Sequence, residues 1–129
     1  MNVDEAIARA CELVPGLVQG ALALLPEGLL IGGVGEATAF EHEPLVRSAS
    51  RCLSACLLAP EGQAPALAFV EFLFVNEEQV LVIQRGRRSA RLALAIVCTR
   101  EPNLAFVLSS TRQAIRDIEG TVDLAAWGV

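Results

Sequence analysis

The sequence predicts an α+β domain: a five-stranded antiparallel sheet with helices on both faces, in the order α-β-β-α-β-β-β-α. Three observations predict it. Residues Ala66 to Thr99 hold three apolar strands joined only by short polar turns. The last of these, Ala90–Thr99, alternates Leu92, Leu94, Ile96 and Cys98 with Ala93, Ala95 and Val97, so neither face is polar, as in a central strand covered twice. Stretches with helical periodicity precede, interrupt and follow the strands.

The first helix is expected over Asp4–Leu13, with Asn2 or Asp4 near its cap and Val3, Ile7, Ala10, Cys11 and Val14 on one stripe. Pro15-Gly16 stops it. Leu17–Leu25 and Leu29–Val34 read as a hairpin around Pro26-Glu27-Gly28, where glycine can take positive φ without steric cost. Residues Gly35–Glu43 read as a polar loop, and Gly32-Gly33-Val34-Gly35 as a frayed strand end. That glycine run lacks the lysine and hydroxyl of a phosphate loop.

Pro44 opens a second helix expected to run to Leu58. Its apolar residues Leu45, Val46, Ala49, Cys52, Leu53, Cys56 and Leu57 cover an arc of roughly 140°. Arg47, Ser48, Arg51 and Ser54 lie opposite. An arc that wide can touch both a sheet and a neighbouring helix. Strands follow at Ala66–Val75, Gln79–Arg85 and Ala90–Thr99. A third helix starts at Pro102 or Asn103 and is expected to end before Gly120, with Leu104, Val107, Leu108, Thr111, Ile115 and Ile118 inward. The domain is set at residues 1–119, with an apolar tail over 120–129 that carries Trp127.

Composition narrows the function. The chain has 129 residues, enough for one domain with its own core. Its net charge of −5 argues against a nucleic-acid role. No apolar run reaches the roughly 20 residues of a membrane span, and the start Met1-Asn2-Val3-Asp4-Glu5 lacks the pattern of a signal peptide, so the cytoplasm is the expected location. In that reducing compartment Cys11, Cys52, Cys56 and Cys98 are expected as small buried hydrophobes. Cys52 and Cys56, one turn apart, could supply two metal ligands, but His42 is the sole histidine and lies outside the helix. No metal or cofactor is expected. Lysine and tyrosine are absent, and the chain is short of acid–base and nucleophile candidates. This favours a surface that other proteins read, with no catalytic residue.

The ordered set of elements resembles the Roadblock family of dynein light-chain and bacterial GTPase-associated proteins. Gly20-Ala21-Leu22-Ala23-Leu24 with Pro26-Glu27-Gly28-Leu29-Leu30-Ile31 looks like the family's first hairpin. Val80-Leu81-Val82-Ile83 and Leu94-Ala95-Ile96-Val97 look like its fourth and fifth strands, and Asn103-Leu104 with Arg112 and Ile115 like its last helix. Ala105 departs from the glycine that many relatives carry after the Asn-Leu pair. The likeness implies a Roadblock/profilin-like sandwich and a non-enzymatic scaffold. It also implies dimerisation through the second helix and third strand, with itself or a paralogous chain, and a small Ras-like GTPase as partner.

On that basis Leu45, Ala49, Cys52, Cys56, Phe69, Glu71, Phe72 and Leu73 are the candidate dimer interface. The strand itself supports this, because a long, phenylalanine-rich ribbon poor in charge is an aggregation hazard at a sheet edge unless another chain covers it. Glu71 would guard that edge or pair across the dimer. Arg47, Arg51, Arg85, Arg87 and Arg88 are the candidate partner-binding residues, because guanidinium groups form bidentate pairs with acidic patches. The competing readings are a small-molecule-sensing α/β module with an apolar pocket, and a small enzyme using Cys98 or Cys52 as nucleophile.

Overall fold

The computed structural model describes residues 2–25, 27–35, 43–51, 71–89 and 91–122. The elements are α1 (Val3–Ala10), β1 (Leu17–Leu24), β2 (Leu29–Gly35), α2 (helical over residues 43–51), β3 (Glu71–Val75), β4 (Gln79–Arg85), β5 (Leu92–Thr99) and α3 (Leu104–Thr121). The five strands form one antiparallel sheet in the order β2-β1-β5-β4-β3.

β5 lies at the centre and is buried from Leu92 to Cys98. Its alternation divides the core. Leu92, Leu94, Ile96 and Cys98 join Ile7 and Cys11 of the α1 segment and Val107, Ile115 and Ile118 of α3 on one face. Ala93, Ala95 and Val97 face α2 through Leu45, Val46 and Ala49 on the other. Ala21 pairs with Ala95 and Ala23 with Ala93, so β1 and β5 offer α2 a platform of small side chains that its backbone can approach closely.

Local chemistry sets the helix ends. The Asn2 side chain accepts from the Glu5 N–H at 2.8 Å, and the Asn103 side chain accepts from the Ala105 N–H at 2.9 Å. α1 ends at Ala10, earlier than Leu13, because its last turn tightens before Pro15: Glu12 N–H donates to the Arg9 carbonyl. α3 runs through Gly120 to Thr121, past the expected stop, since Gly120 takes no positive φ and the Val122 N–H still reaches the Ile118 carbonyl at 2.9 Å. Residues 52–58 of the expected second helix, 66–70 of the third strand, and the tail from 123 lie outside the described residues.

The glycine run of β2 differs from the frayed end expected. Gly32, Gly33, Val34 and Gly35 continue the ladder opposite Leu22, Ala21, Gly20 and Gln19, after a bulge between Leu22 and Ala23. The reason is close approach of α1. A Cβ on Gly32 would stand 2.7 Å from Asp4 Oδ1, 2.9 Å from Val3 Cγ1 and 3.0 Å from Ile7 Cδ1. The Gly33 N–H donates to Asp4 Oδ1 at 3.0 Å, which fastens the helix to the strand.

Candidate functional site

Among the described residues β3 forms one end of the sheet and pairs with β4 alone. No described strand pairs with its outer backbone groups, the kind of edge a further strand can join. Leu73, Phe74 and Val75 are 42 %, 59 % and 41 % exposed, an apolar cluster on a strand end. Strand alternation puts Phe72 and Phe74 on the α2 face, with ring centroids 5.3 Å apart, and Phe72 packs against that side of the core. Leu73 and Val75 take the α3 face with Glu71.

Three candidates for this surface also have contacts within the chain. Both Glu71 oxygens accept from the Arg112 guanidinium on α3, at 2.7 and 2.8 Å. Leu45 and Ala49, at 7 % and 0 % exposure, pack against the chain's own sheet. α2 uses its apolar arc to cover the alanine platform. Phe72 and Leu73 do lie at the edge, and Cys52, Cys56 and Phe69 fall outside the described residues.

The arginines separate into distinct environments. Arg47 and Arg51 are exposed on α2. Arg85 ends β4 opposite Ala93, while Arg87 and Arg88 are exposed in the turn between β4 and β5. Arg91 reaches across the sheet end to the β1–β2 turn, donating from Nε to the Leu25 carbonyl at 3.2 Å and pairing with Glu27 at 3.1 Å. The Glu27 carboxyl is held below its usual range, first by a backbone N–H bond and then by Arg91.

The feature that sequence reasoning missed is Glu119. This carboxylate, 7 % exposed near the end of α3, accepts from the Arg87 N–H at 2.9 Å through Oε1, and from the Arg88 and Ser89 N–H groups at 2.8 and 3.0 Å through Oε2. Three successive amides thus converge on one anion, a nest filled by the chain itself. The contact spans 30 residues or more, so local sequence carries no sign of it. The one available signal was a glutamate flanking the inward stripe of a helix, one position after Ile118.

Other chemistry finds little support. Cys98 and Cys11 are 0 % and 1 % exposed in the core. Burial pushes their thiols up to about 11 and about 12, against thiolate nucleophiles. Among the described residues, no group of three or more His, Cys, Asp or Glu side chains is placed to hold a metal. Among the described residues three grooves flank α3, of about 320, 370 and 620 Å³, and arginines line all three. His42 and Trp127 lie outside the described residues. No helix among those residues is long and apolar enough to cross a membrane.

No protein-family model matches the sequence, and no curated protein matches it. Solved structures do. Myxococcus xanthus MglB superposes with a TM-score of 0.73 at 14 % identity, over 92 % of this chain and 92 % of its own. A Roadblock/LC7 domain from Streptomyces avermitilis gives 0.73 at 14 % identity, over 93 % and 97 %. An MglB with tetrameric arrangement gives 0.62 at 15 % identity, over 93 % and 90 %. Identities this low bear on architecture, and the five-stranded sheet covered on both faces that this chain shares with them is the Roadblock/LC7 fold.

Proposed function

We propose that this chain is a non-enzymatic adaptor that pairs along β3 with a second copy of itself or a sibling Roadblock-type chain. The paired unit then binds a small Ras-like GTPase in the cytoplasm. The observation that carries the pairing is the β3 edge, where backbone groups that no described strand pairs coincide with the exposed side chains of Leu73, Phe74 and Val75. Strand addition there would extend the sheet through main-chain hydrogen bonds and cover those side chains together. The tetrameric arrangement of a structurally similar MglB favours self-association.

The GTPase reading rests on the fold shared with MglB and on exposed arginines able to meet an acidic surface. Arg47 and Arg51 on α2, and Arg85, Arg87 and Arg88 at the end of β4, are the residues assigned to that contact. Leu45 and Ala49 support it from beneath by seating α2. Phe72 and Leu73 stay in the pairing surface, with Phe74 and Val75 added; Cys52, Cys56 and Phe69 complete the candidate set.

Light scattering after size exclusion tests the pairing. The wild-type chain is expected as a dimer at micromolar concentration, and Leu73→Lys with Phe74→Lys as a folded monomer. A monomeric wild type refutes the reading. Affinity capture from extracts loaded with GTP or GDP tests the partner, with a small GTPase retained in one nucleotide state and not the other.

A further inference from the structure

We propose that the groove between the β4–β5 turn and α3, bounded by Arg87, Arg112 and Arg116, docks an acidic segment of a partner protein. The groove measures about 320 Å³, with Ile115 and Gln84 in its lining. Three arginines and one carboxylate, Glu71, line it, and a second carboxylate, Glu119, sits beneath the turn, on a chain whose net charge is −5. The excess positive charge is therefore local, against the sign of the whole molecule.

The geometry bears on which anion fits. Converging backbone N–H groups are a common device for holding phosphate. The nest in this turn, the amides of Arg87, Arg88 and Ser89, is closed by Glu119. What remains for a ligand is side-chain guanidinium, whose planar fork suits carboxylates in pairs of parallel bonds. Arg112 already makes that contact with Glu71 at 2.7 and 2.8 Å, leaving further N–H donors on the same group. Among the described residues neither Arg87 nor Arg116 has an ion-pair partner. Among the described residues Glu119 spends its hydrogen bonds on main-chain amides, so it shapes the turn and leaves the guanidinium donors free, while its charge offsets part of theirs. It acts as a positioning residue: it holds Arg87 beside α3, where Arg112 and Arg116 follow one turn apart.

This extends the adaptor reading to a second, chemically defined surface, and it stands or falls apart from the β3 edge. The test is fluorescence anisotropy with a labelled oligoglutamate peptide on the full chain. The wild type is expected to bind, more weakly as salt rises. Arg87→Ala and Arg116→Ala should each weaken binding about tenfold, the ~1.4 kcal/mol of one charge-assisted contact. Arg100→Ala, exposed beyond the far end of β5 and outside the groove's lining, should leave it unchanged. Glu119→Ala should weaken binding although every groove arginine is retained.

Equal binding by wild type, R87A and R116A overturns the proposal, as does an equal loss with R100A. Competition by inorganic phosphate as strong as by the peptide overturns the choice of an acidic segment. Light scattering on the same samples separates the two readings. A monomer that binds peptide through Arg87 and Arg116 refutes the pairing edge alone, whereas a dimer indifferent to both substitutions refutes the groove alone.

Discussion

Replacing Glu119 with alanine removes one side chain and releases three main-chain donors, and its cost follows from the bonds themselves. They measure 2.9, 2.8 and 3.0 Å, to the N–H groups of Arg87, Arg88 and Ser89. A hydrogen bond to a charged group contributes about 1.5–3 kcal/mol taken singly. Three share one carboxylate here, and the turn is open enough at Arg87 and Arg88 for water to replace part of the loss. The expected destabilisation is therefore about 2–4 kcal/mol, well below the simple sum. Urea denaturation reads it as a midpoint lowered by roughly 1–2 M at an ordinary slope. Glu119→Gln should fall between alanine and wild type, because its amide keeps one acceptor and turns a donor towards the remaining N–H groups. Hydrogen exchange supplies the local readout, with protection lost first at residues 87–89. Should the alanine variant stay within about 0.5 kcal/mol of wild type, as an ordinary surface substitution does, the nest is not what holds the turn.

Gly32→Val should destabilise by about 1–3 kcal/mol in the same titration, because its side chain enters space held by Asp4, Val3 and Ile7 and lifts α1 from β2. Arg112→Ala should cost no more than about 1 kcal/mol despite the short forked contact, since both partners keep solvent access; a larger loss by denaturant midpoint would show a buried network. The Cys11 and Cys98 thiols, pushed up to about 12 and about 11 from near 9, should stay unlabelled by a thiol reagent in the native state and react fast in urea. Their folded values lie above the unfolded ones. The stability they contribute is therefore full below about pH 9 and is lost as pH rises towards 11–12, which a denaturation series across that range measures.

Much of the architecture was legible because the decisive signals are local. The unbroken alternation of Leu92–Cys98 marks a strand covered twice, Asn103 caps α3 with its own side chain, and Gly28, at φ 76°, takes the turn position that glycine suits. What escaped is long-range. Periodicity gives the width of α2's apolar arc but not how much of it the sheet consumes, so it does not show that Leu45 and Ala49 pack against the chain's own core. Glu71 and Arg112 are 41 residues apart, and Glu119 lies 32 from Arg87, so no spacing rule links them. The glycines of β2 suggested fraying because a missing side chain looks the same in sequence whether the backbone needs freedom or a helix needs room. Arg85, Arg87 and Arg88 sit within four positions, and their spacing does not show that Arg87 borders a groove with a helix that begins well downstream.

The strand order also governs when the sheet can be completed. β1 lies beside β5, so Leu22 and Leu24 meet Leu94 and Leu92 across some seventy positions of chain. During synthesis the opening hairpin must wait, its inner margin bare, until the chain has emerged as far as β5. Closing so wide a circuit is entropically slow. A ribosome stalled anywhere before position 92 therefore exposes a sticky half-product, and the cell's chaperones meet this chain first as that fragment.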